Sequence, residues 1–298
     1  MLHPQARAAL AEEAGYPPVD DPSTDIAAER AEAREAALLE PREDVAVAAD
    51  RDAHGVTVRV YRPVGAGDGP LPAVLHLHGG GFVFNDVETH DGACRRLANR
   101  SQMAVVSVDY RRPPESPYPA ARDDVDTVVA WLRGGGLGDE VDPARLAVHG
   151  DSAGANLALV AALRNPGMFR SVALIYPFVD AKMRGASYDD APGLWGRGEA
   201  AWYWAQYASG PQDYDDPDFS PIDSDRLDTL PPTLVVTAEH DPLRDEGELL
   251  ASRIAEAGVV CVGTRYLGMI HGFWRHAGAY DAAEPLMRQV AGFLQQHA

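Results

Sequence analysis

The chain has 298 residues, 46% of them hydrophobic, which is ample for one large core and fits a single domain over 1–298. Its 45 acidic against 26 basic residues leave a formal net charge of -19, which disfavours an unassisted grip on nucleic-acid phosphates or anionic membrane surfaces. Cys94 and Cys261, with no CxxC spacing, suggest neither a disulfide framework nor a zinc ribbon, and both are expected as buried thiols.

The opening MLHPQARAALAEEAGYPP lacks the basic start, apolar stretch and cleavage site of a secretory signal, and no apolar run is long enough to cross a bilayer. The expectation is a cytoplasmic protein without a membrane span. Two alanine-rich, charged stretches in the first forty or so residues predict helices outside the main core, the second capped by Ser23 or Asp25. The period then shortens. VAVAAD (45–50), VTVRVY (56–61), AVLHLH (73–78) and MAVVSVD (103–109) read as strands. Helical stretches at 88–100 and 120–133 interleave with them from about residue 70, so a mostly parallel sheet follows. RLAVHG as strand, Ser152 to about Leu163 as helix and SVALIYP (171–177) as strand continue the alternation. Between about 178 and 230 it breaks into a segment rich in aromatics, Gly, Pro and Asp, with one good helix around GEAAWYWAQYAS. Strand, helix, strand and helix then close the chain from PPTLVVTAEHD onward.

Two glycine patterns sit where strands end. Gly79, Gly80 and Gly81 follow AVLHLH, and three glycines in a row cost backbone entropy that only a need for bare N–H groups justifies. Read alone, they also fit a flexible turn. Downstream, Gly150-Asp151-Ser152-Ala153-Gly154 places glycines two before and two after a serine, as a sharp strand-to-helix turn would require. Together the two motifs offer a nucleophile and the donors its intermediate needs. A serine also needs a base and an orienting carboxylate, and Asp241 and His271 lie just past later strands, in the order Ser152, Asp241, His271.

With HGGGF at 78–82, DYRRPPESPYPAARDDV at 109–125, GDSAGANLA at 150–158, DPLRDEG at 241–247 and HGF at 271–273, the chain resembles the hormone-sensitive-lipase-like group of α/β-hydrolase esterases. The resemblance runs from about residue 70 to the end. It implies the α/β-hydrolase fold, with Ser152 as nucleophile, His271 as general base, Asp241 as its orienter, and oxyanion N–H groups from Gly80, Gly81 and Ala153. It also implies a helical cap built from about 1–42 and 178–230. Ala155 and Arg112-Pro113 depart from the family's pattern, without touching a triad position.

Rivals to these roles exist within the sequence. Glu239 and Asp245 flank Asp241, and His240 adjoins it, but position along the strand and helix favours Asp241 with His271. His76 and His78 share a strand face without a nearby third ligand, so no metal is expected, and His78 and His149 read as structural. Trp202, Tyr203, Trp204 and Tyr207 crowd one short helix and cannot all face one way; Trp202, Trp204 and Tyr207 are the candidates for narrowing the substrate site. The reading is a serine carboxylesterase acting on a small, compact ester, with no cofactor; a homodimer is compatible with it. An amidase, acyltransferase or dehydratase on the same scaffold, or a non-catalytic binder, are the alternatives.

Overall fold

In the computed structural model, which describes residues 1–191 and 195–298, the short apolar runs become eight strands of one sheet. The elements run α1 (Pro4–Glu13), α2 (Ile26–Leu39), β1 (Val47–Ala53), β2 (Val56–Arg62), β3 (Leu71–Leu77), α3 (Asp91–Ser101), β4 (Ala104–Val108), α4 (Ala120–Arg133) and β5 (Val141–Asp151). They continue with α5 (Ala153–Arg164), β6 (Phe169–Ile175), α6 (Ser187–Asp190), α7 (Arg197–Tyr207), β7 (Thr233–His240), α8 (Arg244–Glu256), β8 (Cys261–Ile270) and α9 (Ala283–His297). The sheet order is β1-β2-β4-β3-β5-β6-β7-β8. β2 pairs antiparallel with β1 and β4, and every pairing from β4 through β3 to β8 is parallel.

Parallel neighbours need crossover connections, and here helices supply them on both faces. Side-chain alternation along each strand divides the core accordingly. Ala73, Leu75 and Leu77 of β3 pack with Val125 and Val128 of α4, with α5, and with Leu250 and Ile254 of α8. Val74 points the other way, into the cluster of Leu97 from α3 and Leu286 and Val290 from α9. α5 is buried from Ala153 to Leu163, as its apolar composition all round requires.

Some expectations shift. Asp25 is the cap of α2, accepting the N–H groups of Ala27 and Ala28. α1 does not stand outside the core: its Ala6 is fully buried in it, and the His3 N–H donates to the Gly268 carbonyl at 3.0 Å. α3 starts at Asp91 rather than 88, because the Asp86 side chain takes the N–H groups of Glu88 and Thr89 and holds a turn there. Cys94 is buried, but Cys261 on edge strand β8 is partly exposed. Among the described residues no helix is long and apolar enough to cross a membrane.

The segment at 178–230 carries α6, α7 and several single turns, and 192–194 of it lie outside the described residues. Its start is pinned by one buried carboxylate. Glu246 of α8 accepts the N–H groups of Val179 at 2.6 Å and Asp180 at 3.2 Å, and the Tyr188 hydroxyl. Burial pushes its carboxyl well above the usual range. Glu246→Ala should cost about 3 kcal/mol by leaving these donors unpaired, and Glu246→Gln, which keeps an acceptor, clearly less. Urea denaturation of the three proteins checks the order.

Candidate functional site

The site forms where β3 and β5 lie side by side, with His76 opposite His149 and Leu77 opposite Gly150. That register sets the glycine loop after β3 against the serine turn after β5. Backbone approaches backbone so closely that a β-carbon on Gly150 would overlap the Gly154 carbonyl, and one on Gly154 the carbonyls of Leu77 and His78. Ser152 itself sits at φ 55° and ψ -121°, a conformation that costs a non-glycine residue about 1–3 kcal/mol. Its backbone bonds hold it there: its N–H donates to Ile175 at 2.9 Å, and its carbonyl accepts from Ala155, Asn156 and Phe178.

The structure brings Ser152, His271 and Asp241 together. His271 Nε2 is 3.1 Å from Ser152 Oγ, and His271 Nδ1 is 2.8 Å from Asp241 Oδ2. Asp241 is fully buried, and its other oxygen accepts the Leu243 N–H at 2.8 Å. A carboxylate facing Nδ1 selects the tautomer with its proton there, which leaves Nε2 as an acceptor for the serine hydroxyl. Glu239 is occupied elsewhere, accepting the Gly268 N–H, and Asp245 accepts the Ser187 N–H. His240 lies 3.5 Å from Glu239 and away from the serine.

Gly80 and Gly81 hold positive φ angles, and the Gly80 carbonyl turns back to accept from Val83 and Phe84. Among the described residues the N–H groups of Gly80, Gly81 and Ala153 have no hydrogen-bond partner. The loop is anchored by Asp151, whose Oδ1 accepts the Gly79 N–H at 2.9 Å. His78 stacks on Tyr110 and bonds the Gly79 carbonyl through Nδ1, so it braces the same loop. Ala155 fits behind the turn fully buried, and the Arg112 guanidinium donates to the Asn85 carbonyl.

The aromatic candidates need correction. Trp204 and Tyr207 are fully buried core residues, Tyr207 stacked on Phe82 at 3.7 Å and Trp204 tilted against Phe178 at 4.3 Å. Trp202 stacks on Phe84 and is not part of the wall. The cavity of about 110 Å³ at Ser152 is instead lined by Phe178, Trp195, Tyr203, Asn85 and Arg275, and opens into a larger cleft bordered by α1 and Glu199. The signal was available in the helix period. Ala200, Trp204 and Tyr207, at i, i+4 and i+7, form the buried stripe, which turns Glu199 and Tyr203 toward the cleft.

Beneath the turn lies a chain of buried histidines. His76 Nδ1 is 2.9 Å from His149 Nδ1, and His76 Nε2 is 3.1 Å from His90 Nδ1, which in turn is 3.7 Å from Asp151 Oδ1. The sequence sets His76 and His78 aside as a metal pair for want of a third ligand; the set whose ligand atoms converge is His76, His90 and Asp151, with both His76 nitrogens already in hydrogen bonds. Burial lowers His76 and His78 to about 3 and His90 and His149 well below the ordinary histidine value.

A family described as alpha/beta hydrolase fold matches residues 74–275, more than half of the chain. The chain is 36% identical over 261 residues to ethyl acetate hydrolase of Pseudomonas putida, covering 83% of this chain and 80% of that protein. It is 37% identical to esterase LipI of Mycobacterium tuberculosis over 251 residues, 80% of this chain and 77% of the other. The solved structure of a Pyrobaculum calidifontis esterase superposes with a TM-score of 0.88 at 39% identity, covering 99% of each chain.

The buried histidines make acid lability the expected behaviour. Their folded pKa values lie below the unfolded value of about 6.5, so the unfolded chain takes up protons first as pH falls. Their neutral packing is fully stabilising above about pH 6.5 and is lost below it, by up to about 1.4 kcal/mol per pH unit for each histidine. Thermal unfolding should therefore drop steeply between pH 6.5 and 5, and less steeply in His149→Asn. A Tm that stays level across that interval would contradict the neutral packing.

Proposed function

The chain belongs to the hormone-sensitive-lipase-like group of α/β-hydrolase esterases and is a carboxylic ester hydrolase, and from that premise we propose that it works through Ser152, His271 and Asp241 by an acyl-enzyme. The observation that carries this reading is the unbroken row from Asp241 Oδ2 through both nitrogens of His271 to Ser152 Oγ. His271 Nε2 takes the serine proton as Oγ attacks the ester carbonyl, and Asp241 stabilises the imidazolium that forms. The unengaged N–H groups of Gly80, Gly81 and Ala153 receive the negative oxygen of the tetrahedral intermediate. Collapse passes the proton from His271 to the departing alcohol. Water then attacks the acyl-serine by the same route and releases the acid.

Compact substrates are part of the proposal, supported by the small cavity and by the rings of Trp195 and Tyr203 against His271 and Gly81. A cap made of about 1–42 and 178–230 over this cavity is likewise our reading. Its support is the Glu199 carboxylate of α7, which accepts the Val19 N–H at 3.1 Å and ties the two segments together. The unpaired thiols Cys94 and Cys261 favour the cytoplasm. The open outer edge of β8, with Val260, Val262 and Leu267 exposed, favours a homodimer.

Ser152→Ala should lower ester turnover by roughly three to six orders of magnitude in a folded protein. An organophosphonate should label Ser152 alone, as read by mass spectrometry of the modified peptide. Tyr203→Ala should open the cavity and raise kcat/KM for hexanoate over acetate esters by more than about threefold, since each added methylene that becomes buried contributes about 0.8 kcal/mol. Trp204→Ala should instead cost about 3–5 kcal/mol of stability. Kinetics on the ester series beside thermal melts separates the two rings.

A further inference from the structure

Arg275 stands apart from the other partly buried arginines. Arg30, Arg42, Arg59, Arg100 and Arg122 each pair with a carboxylate, and Arg62 and Arg96, which form no ion pair among the described residues, donate to backbone carbonyls. Arg275 lines the cavity of Ser152, yet among the described residues its guanidinium forms no ion pair and donates no hydrogen bond to the protein; residues 192–194 carry no carboxylate that could pair with it. Its position is set by the turn that carries it. Phe273 and Trp274, between His271 and Arg275 in the chain, are fully buried, and Arg96 donates to the Arg275 carbonyl. The side chain is thus delivered to the site by its neighbours, with its donors unspent.

A guanidinium presents a planar fork matched to a carboxylate, and such pairs are stronger than neutral hydrogen bonds. In a chain of net charge -19, an unpaired arginine beside the nucleophile is a local exception to the surrounding field. Asp151 shares the cavity but lies beyond ion-pair distance, with one oxygen engaged by Gly79. Glu12, Glu13 and Glu199 face the outer cleft, where His276 is held neutral by burial. This rim repels an anion that lacks a partner inside.

We propose that Arg275 is a specificity-determining residue that binds a free carboxylate on the substrate, and that the chain hydrolyses half-esters of small dicarboxylic acids. The inference rests on the reading of Ser152 and His271 as the hydrolytic pair. A succinyl-sized acyl group is small enough for the cavity of about 110 Å³ that Ser152 and Arg275 both line. Water cleaves its ester bond, releasing the alcohol and the dicarboxylate.

The test compares kcat/KM for monoethyl succinate with that for ethyl succinamate, its neutral isostere, at pH 7.5. The wild type should favour the carboxylate by about 10- to 100-fold, the range for a charged hydrogen bond. Arg275→Gln should bring the ratio below one, because the acidic rim then acts unopposed, and Arg275→Lys should retain part of it. A second measurement needs no variant: glutarate should inhibit wild-type hydrolysis of p-nitrophenyl acetate more strongly than its neutral diamide, glutaramide, does. A wild-type ratio of one or less, an unchanged ratio in folded Arg275→Gln, or equal inhibition by the two compounds would each overturn the proposal while leaving the hydrolase reading in place if p-nitrophenyl acetate is turned over. Failure on p-nitrophenyl acetate as well would overturn both.

Discussion

Everything at the site depends on how closely the backbone at the end of β3 and the start of α5 approach each other. Two parallel strands in register put Leu77 beside Gly150, and the turn after Gly150 must then pass α5 across the β3 carbonyls with no side chain between. Glycine at 150 and 154 is the only way to close that gap. The same closure forces Ser152 into its positive φ, so strain at the serine and packing at the glycines are one event. It also leaves the Ala153 N–H at the head of α5 without an intrahelical partner.

Such a turn has to be held from below, and buried polar groups do this. Asp151 links the serine turn to the glycine loop through Gly79, while His90, 3.7 Å from it, begins a hydrogen-bonded run through His76 to His149 across the sheet. These groups are buried and bonded to one another, which makes the arrangement rigid and intolerant of added charge. Glu246 does the equivalent on the other side, fixing the chain after β6 that supplies Phe178 to the cavity. The row of Asp241, His271 and Ser152 is therefore held by groups lying mostly beneath the cavity.

The walls of the cavity follow a different logic, in which one helix divides its rings between core and cleft. α7 commits Trp204 and Tyr207 to a stack with Phe82, Phe178 and Phe219, which anchors the helix. That anchoring is what holds Tyr203 against Gly81, where a β-carbon would collide with the ring. Glycine at 81 thus provides both a bare N–H and room for the wall.

Much of the fold was legible because its determinants are local. Alternation of period two and 3.6, the glycines of the serine turn and the order Ser152, Asp241, His271 depend on residues near one another in the chain, and eight strands and the main helices follow from them. Boundaries moved where side chains rather than periodicity ended an element, as at Asp86 before α3. What sequence could not decide is which distant groups meet. That His76 faces His90 and Asp151, that Trp195 and Tyr203 rather than Trp204 and Tyr207 wall the cavity, and that Arg275 reaches it with no partner among the described residues are outcomes of strand register and helix rotation. A residue's chemistry is written at its own position, but its partner is chosen by the packing of elements a hundred residues away, and only the assembled tertiary structure makes that choice.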